Sequence, residues 1–213
     1  MKRTVVLVAL MLAAWPKPAG AHRLDEYLQA TRVSLEMDRV VLDIDLTPGV
    51  SVAESLVAAI DIDGTRKVSA AEGDAYARQV LQSVSLAVDG HVTPLTLLSA
   101  EVPAIPDMLG GTGVVRLAFA APIRTASAGR HQLSYRNDHR ADIGAYLANT
   151  LVPSDSRIRV VGQRRDRSQH ELNVDYEVTT REPRIRGAWL LAGVTVVAIL
   201  AVARRVGRPR LSY

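Results

Sequence analysis

Residues 33–46, VSLEMDRVVLDIDL, form two runs in which apolar and polar side chains alternate. The apolar positions are Val33, Leu35, Met37, Val40, Leu42, Ile44 and Leu46. A period of two is typical of a strand that buries one face, and the polar pair Asp38-Arg39 separates the two runs. This segment therefore predicts a β-hairpin.

Similar short runs recur along residues 22–180. One leads into Asp89-Gly90, a strong signal for a two-residue turn, and Pro94 marks the strand that follows as an edge or a bulge. Counting the first hairpin, the pattern predicts eight strands, with the later ones near 115–119, 131–135, 158–160 and 172–178. The chain is thus predicted to be mainly β, an antiparallel β-sandwich.

One segment, residues 51–83, has helical periodicity instead and interrupts the strands between the second and the third. The apolar spacing comes from Ala53, Leu56, Val57 and Ile60, and later from Ala75, Tyr76, Gln79 and Val80. Ser69 is a good N-cap for the second helix, with Glu72 three residues later. We therefore predict an inserted helix–loop–helix unit, the arrangement found in an EF-hand.

The loop of this unit, residues 61–72, fits the twelve-residue calcium-binding frame in part. The residues at positions 1, 3, 5, 7, 9 and 12, from which ligands come, are Asp61, Asp63, Thr65, Lys67, Ser69 and Glu72. Lys67 would contribute its backbone carbonyl. Thr65 stands where an acid is usual, and Arg66 stands where glycine is required.

Two interpretations of residues 61–72 therefore remain open. Arg66 and Lys67 offset much of the negative charge of the three carboxylates, so a calcium site here would have millimolar affinity at best. Alternatively, the loop only connects two helices that pack on the sandwich. The rest of the sequence contains no second loop of this kind.

The first 21 residues resemble a secretory signal. Lys2 and Arg3 form its charged start, residues 4–15 its short apolar core, and residues 19–21 a small-residue cleavage site. The apolar run is too short to span a membrane. Cleavage would make His22 the mature N-terminus, where the free amine and the imidazole together could chelate copper or nickel.

A second apolar stretch, residues 187–203, is long enough to be a transmembrane helix. A linker at 181–186 precedes it, and a basic tail at 204–213 follows it, as expected for a cytoplasmic flank. We expect a single-pass protein of the cell membrane, with residues 22–180 extracytoplasmic (periplasmic). The alternative is a buried C-terminal helix.

Composition excludes several classes of function. The chain has no cysteine, so disulfides and thiolate metal sites are impossible. Its net charge of +4 is unevenly spread, because residues 22–180 hold 16 Lys and Arg against 21 Asp and Glu, a net charge of −5. A nucleic-acid partner is therefore not expected. No catalytic motif is present, and LGGTG at 109–113 leads into a strand, so we predict no enzyme and no phosphate site.

The remaining histidines show no spacing typical of a metal site, and we expect them at the surface or in turns. They are His91, His131, His139 and His170, with His131 and His139 placed on either side of a hairpin-like turn. Residues 135–153 are dense in polar and aromatic side chains. We expect a turn and an irregular crossover there, with a binding surface as the alternative.

Several short strings occur in the order seen in a known family: AH at 21–22, IDIDGTRKVSAAEGDAYARQVL, LAVDG and LSYRND. Over residues 21–140 the chain resembles the extracytoplasmic N-terminal domain of bacterial nickel/cobalt exporter-like and HupE/UreJ-like membrane proteins. Thr65 and Arg66 replace the second Asp-Gly pair of the family's loop, and the multi-span transporter is missing. The resemblance implies an extracytoplasmic accessory or sensing domain.

Taken together, the sequence predicts a membrane-anchored extracytoplasmic binding or interaction module, with a multi-span metal transporter as the expected partner. Two alternatives remain. The first is a weak calcium-binding module that uses residues 61–72, and the second is a copper- or nickel-binding protein that uses His22.

Overall fold

The structure, a computed structural model, describes residues 25–123 and 127–180, which build two five-stranded sheets around one hydrophobic core. The strands are β1 Tyr27–Leu35, β2 Arg39–Pro48, β3 Val84–Val88, β4 His91–Val92, β5 Thr96–Glu101, β6 Val115–Pro122, β7 Gly129–Asn137, β8 Gly144–Thr150, β9 Ile158–Arg165 and β10 Glu171–Val178. The helices are α1 Val50–Ile60, α2 Ala70–Leu81 and α3 Ile105–Leu109.

The strand order is β5-β6-β2-β1-β8 in the first sheet and β4-β3-β7-β10-β9 in the second. All neighbouring strands are antiparallel except β1 and β8, which run parallel. The mainly β fold with two largely antiparallel sheets is thus confirmed.

The hairpin at residues 33–46 is also confirmed. β1 and β2 pair in the register Val33↔Leu42 and Leu35↔Val40, and alternate residues of both strands are buried. Val33, Val40 and Leu42 are completely buried in the core between the sheets. Burying an aliphatic side chain of this size stabilises the fold by about 1.5–3 kcal/mol, which fixes the register of the hairpin.

The expectation of eight strands was too low, because the described residues contain ten. Residues 135–153 are not an irregular crossover: they include the end of β7 and the whole of β8, which pairs in parallel with β1 from Tyr27↔Gly144 to Val33↔Thr150. The sequence of β8 shows only weak alternation of apolar and polar side chains, because its residues are mostly small. β5, an edge strand, is largely exposed and so lacks the expected alternation.

Across residues 25–123 and 127–180, no helix is both long and apolar enough to cross a membrane. The predicted signal peptide 1–21, His22, the linker 181–186, the transmembrane helix 187–203 and the tail 204–213 all lie outside the described residues.

Candidate metal-binding loop

Two helices hold the loop against the sandwich. The predicted buried face of α1 is confirmed, since Ala53, Leu56, Val57 and Ile60 are all buried. The buried face of α2 differs in part from the prediction: Tyr76 and Val80 are buried with Gly73 and Ala77, whereas Ala75 and Gln79 are exposed. The helix is rotated relative to the predicted face, so that Gly73 packs beside the end of β5: a Cβ atom on Gly73 would lie 4.0 Å from Ala100 in that strand and 3.3 Å from Val102 just after it.

The start of α2 has the predicted capping box. The Ser69 hydroxyl accepts a hydrogen bond from the Glu72 amide at 3.3 Å. Glu72 Oε2 in return accepts from the Ser69 amide and the Ser69 hydroxyl, each at 2.8 Å. These contacts fix the Glu72 carboxylate at the end of the loop and hold the Ser69 hydroxyl within the cap.

The three acidic residues of the loop converge. Asp61, Asp63 and Glu72 each place one carboxylate oxygen within 4.8 Å of the others. Calcium–oxygen distances are 2.3–2.6 Å, so two oxygens on one calcium ion can be at most about 5 Å apart. The three oxygens therefore satisfy the distance limit for ligands of a single ion.

Backbone amides of the loop hold Asp61 and Asp63 in place. Asp61 Oδ1 accepts from the Thr65 amide at 3.1 Å, and Oδ2 accepts from the Arg66 amide at 2.9 Å. Asp63 Oδ1 also accepts from the Thr65 amide, at 3.0 Å. Asp61 is only 7% exposed. The carboxylates are thus oriented before any ion binds.

Hydrogen bonds lower the pKa values of two of the three carboxylates, which favours their ionised state. Hydrogen bonding by the side chain and then the amide of Thr65 lowers the pKa of Asp63. The amide and hydroxyl of Ser69 lower the pKa of Glu72, and Glu72 Oε1 also accepts from the Ile62 amide at 2.9 Å. Ionised carboxylates are the ligands that calcium prefers, so neutral pH leaves them ready to bind.

Arg66, in the middle of the loop, has the backbone conformation that position 6 of a calcium-binding loop requires. Its φ is +61°, the left-handed conformation that glycine usually provides at this position. Its guanidinium lies 3.9 Å from Glu54 of α1, so this cation is directed toward the helix. The Thr65 hydroxyl donates to the Lys67 carbonyl at 3.2 Å, which brings the two predicted donors at positions 5 and 7 together.

This donor set fits calcium better than a transition metal. It comprises three carboxylates, one hydroxyl and one backbone carbonyl, all of them oxygen, and calcium takes six to eight oxygen ligands including water. No imidazole or thiolate, which copper, nickel and zinc favour, takes part. The formal charge of the loop is reduced by Arg66 and Lys67, which limits its affinity for a cation.

Helix α2, which follows the loop, is anchored in the protein interior. The hydroxyls of Tyr76 and Tyr27 are 2.8 Å apart, and Tyr76 Oη is 3.1 Å from His139 Nε2. Burial raises the pKa of Tyr76 to about 12, so its hydroxyl keeps its proton. Tyr76 follows Glu72 by one helical turn, so this contact ties the end of the loop to the core.

His139 lies in a turn, which is one of the two placements expected for it, but it does not lie at the surface. It is 3% exposed, and burial, with a further contribution from Arg140, lowers its pKa to about 4. The peptide carbonyl of His139 accepts from Gln29 Nε2 at 2.6 Å and Tyr146 Oη at 2.7 Å. No hairpin turn separates it from His131, because β7 runs through this region and ends just before His139.

Sequence reasoning missed both His139 and Gly73. Neither lies in a periodic pattern that indicates burial, and the partners of His139 in β1 and α2, Gln29 and Tyr76, are far away in sequence. Among the described residues, the only group of three potential metal ligands is Asp61, Asp63 and Glu72.

Comparison with known proteins adds no assignment. No protein-family model matches the chain, and no curated protein is significantly similar to it.

Proposed function

We propose that this protein is a calcium-binding module in which one EF-hand-like loop is inserted into a β-sandwich. The observation that carries the proposal is the convergence of Asp61, Asp63 and Glu72 within 4.8 Å, on a loop whose position 6 already has φ +61°. Those three carboxylates, the Thr65 hydroxyl and the Lys67 carbonyl would hold the ion. In this proposal, residues 61–72 bind the ion and catalyse no reaction.

The expected affinity is millimolar. Arg66 and Lys67 offset two of the three negative charges, and the affinity of such loops rises with the charge of their ligands. Binding of this strength is useful only where calcium is abundant. It therefore agrees with the proposed extracytoplasmic, membrane-anchored location, in which the module would report calcium to a membrane partner.

Thermal unfolding of the full chain with EDTA and with 5 mM Ca²⁺ tests this proposal. A site with a dissociation constant of about 1 mM stabilises the folded state by about 1 kcal/mol at that concentration, which corresponds to roughly 2–4 °C. Glu72→Gln removes a ligand charge and should abolish the shift. Asp74→Asn is the matched control, since Asp74 lies on the same helix outside the loop and pairs with Arg78 at 3.7 Å.

The proposal fails if calcium does not raise the melting temperature, or if the shift is the same in Glu72→Gln and the unaltered chain. A shift produced equally by Mg²⁺ would also count against it, because magnesium requires a more nearly octahedral and more hydrated site.

A further inference from the structure

His131 is placed between two hydrogen-bond acceptors. Its Nδ1 is 2.7 Å from the Asp89 carboxylate, and its Nε2 is 2.8 Å from the backbone carbonyl of Ser127. A neutral imidazole has one N–H and one acceptor nitrogen, so it can satisfy only one of these two oxygens. The doubly protonated imidazolium satisfies both.

The two acceptors belong to different parts of the second sheet. Asp89 follows β3 in the turn that leads to β4, whereas Ser127 lies just before β7. Asp89 also bonds the β7 backbone: its amide donates to the Gln132 carbonyl at 2.8 Å, and its Oδ1 accepts from the Gln132 amide at 2.8 Å. His131 therefore links the β3–β4 turn to the segment that enters β7.

The groups in contact with His131 favour a cation. The Tyr176 ring stacks on it with centroids 5.3 Å apart, although the low exposure of its side chain, 11%, acts in the opposite direction. The nearest carboxylate is Asp89. His91 contacts the Asp89 carbonyl at 3.0 Å through its Nδ1, and Arg130 is paired with Glu177 at 3.0 Å.

We propose that His131 is a pH-sensitive latch, closed as the imidazolium and opened by loss of one ring proton. Opening would release either Asp89 or Ser127 and loosen the β3–β4 turn on β7. The Asp89 hydrogen bond raises the pKa of His131, although burial opposes it. The latch is therefore more than half closed at the ordinary histidine pKa of about 6.5, closes further as pH falls, and opens as pH rises through the elevated value.

NMR titration of the imidazole C–H signals in the full chain tests the state of the ring. The chain has five histidines, so His131→Gln identifies the signal of His131 by its loss. We expect that signal to titrate above pH 6.5 and to move to lower pH in Asp89→Asn, which keeps the shape of the side chain. His91→Gln, on the same hairpin, is the matched control and should leave the midpoint of His131 nearly unchanged.

Hydrogen exchange at the Gln132 amide tests whether the ring controls the turn. Its protection factor should fall about tenfold between pH values below and above the His131 midpoint, because one bond of the latch is lost and the other no longer joins two ions. The protection factor of Val33, in the other sheet, should not change. A His131 midpoint at or below 6.5, or constant protection of Gln132 across the midpoint, would overturn the proposal.

Discussion

Arg66 is the residue at which the loop departs most from a standard calcium site. A non-glycine residue at φ +61° costs about 1 kcal/mol or more, yet the fold retains this conformation because the Arg66 amide bonds Asp61 Oδ2 at 2.9 Å. Its guanidinium faces Glu54, so the side chain contributes charge to the surroundings of the loop without filling its centre. Backbone geometry and charge are therefore separate effects at this position.

Substitutions at Arg66 can separate the effect of its positive φ on stability from the effect of its charge on calcium affinity. Arg66→Gly should raise calcium affinity up to about fivefold, because it removes a positive charge near the ligands, and Arg66→Ala should do the same. Only glycine relieves the left-handed strain, so Arg66→Gly should be about 1 kcal/mol more stable than Arg66→Ala. Calorimetric titration with Ca²⁺ and urea unfolding measure the two quantities. Equal stability of the two variants would contradict a positive φ at this residue.

Among the elements, the turn between α3 and β6 depends on one close backbone approach. The Gly113 amide donates to the Asp107 carbonyl at 2.8 Å. A Cβ atom on Gly113 would lie 2.7 Å from the Met108 amide nitrogen and 2.9 Å from the Asp107 carbonyl carbon. These are backbone atoms, so neither can rotate away. The glycine-rich string at 109–113 is thus a packing requirement of a helix-to-strand turn.

Gly113→Ala should destabilise the protein by about 1–3 kcal/mol, because the added methyl forces the α3–β6 turn to shift. Gly162 in β9 offers a matched control, since a Cβ atom there would meet no atom within 4 Å. Gly162→Ala should be neutral or slightly stabilising. Differential scanning calorimetry of both variants measures the difference, and a Gly113→Ala protein that melts like Gly162→Ala would show that the turn tolerates a side chain.

Elements that are specified by residues close together in sequence were predictable. Elements that depend on contacts with residues far away in sequence were not. The hairpin of β1 and β2 and the capping box at Ser69 follow from residues close together in sequence. β8 becomes a strand because it lies beside β1, more than a hundred residues earlier, and its small residues give little alternation of their own. The three converging carboxylates were predictable from their spacing, whereas the direction of the Arg66 side chain depends on α1.

At the scale of the whole molecule, buried hydrogen bonds connect the first sheet to the segment around β7. Thr31 of β1 contacts the hydroxyl of Tyr135 at 2.7 Å, and Asn137 donates to Gln29 at 2.9 Å. Buried polar groups of this kind are costly when unpaired, so they favour the one alignment of the sheets in which every partner is present. The contact between His139 and Tyr76 extends this connection to helix α2, which follows the proposed calcium-binding loop.

The buried His139 makes the stability of the whole fold depend on pH. Its pKa of about 4 in the folded protein lies below the value of about 6.5 expected in the unfolded chain. Between these two values the unfolded chain binds the extra proton, so the free energy of unfolding must fall as pH falls. The full decrease in the free energy of unfolding amounts to about 3 kcal/mol, and most of it occurs between pH 6.5 and pH 4.5.

Urea unfolding at pH 6.5, 5.5 and 4.5 measures this loss. Carboxylates with lowered pKa values, such as Asp142 beside Arg140, lose their contribution only as pH falls below about 4, so they contribute little in this interval. His131, whose pKa is raised by Asp89, is more than half protonated throughout it. His139→Gln cannot take up a proton and should therefore be less sensitive to pH between 6.5 and 4.5, even if it is less stable at every pH. A variant with the same pH dependence as the unaltered chain would contradict a buried neutral His139, since the loss would then originate elsewhere in the fold.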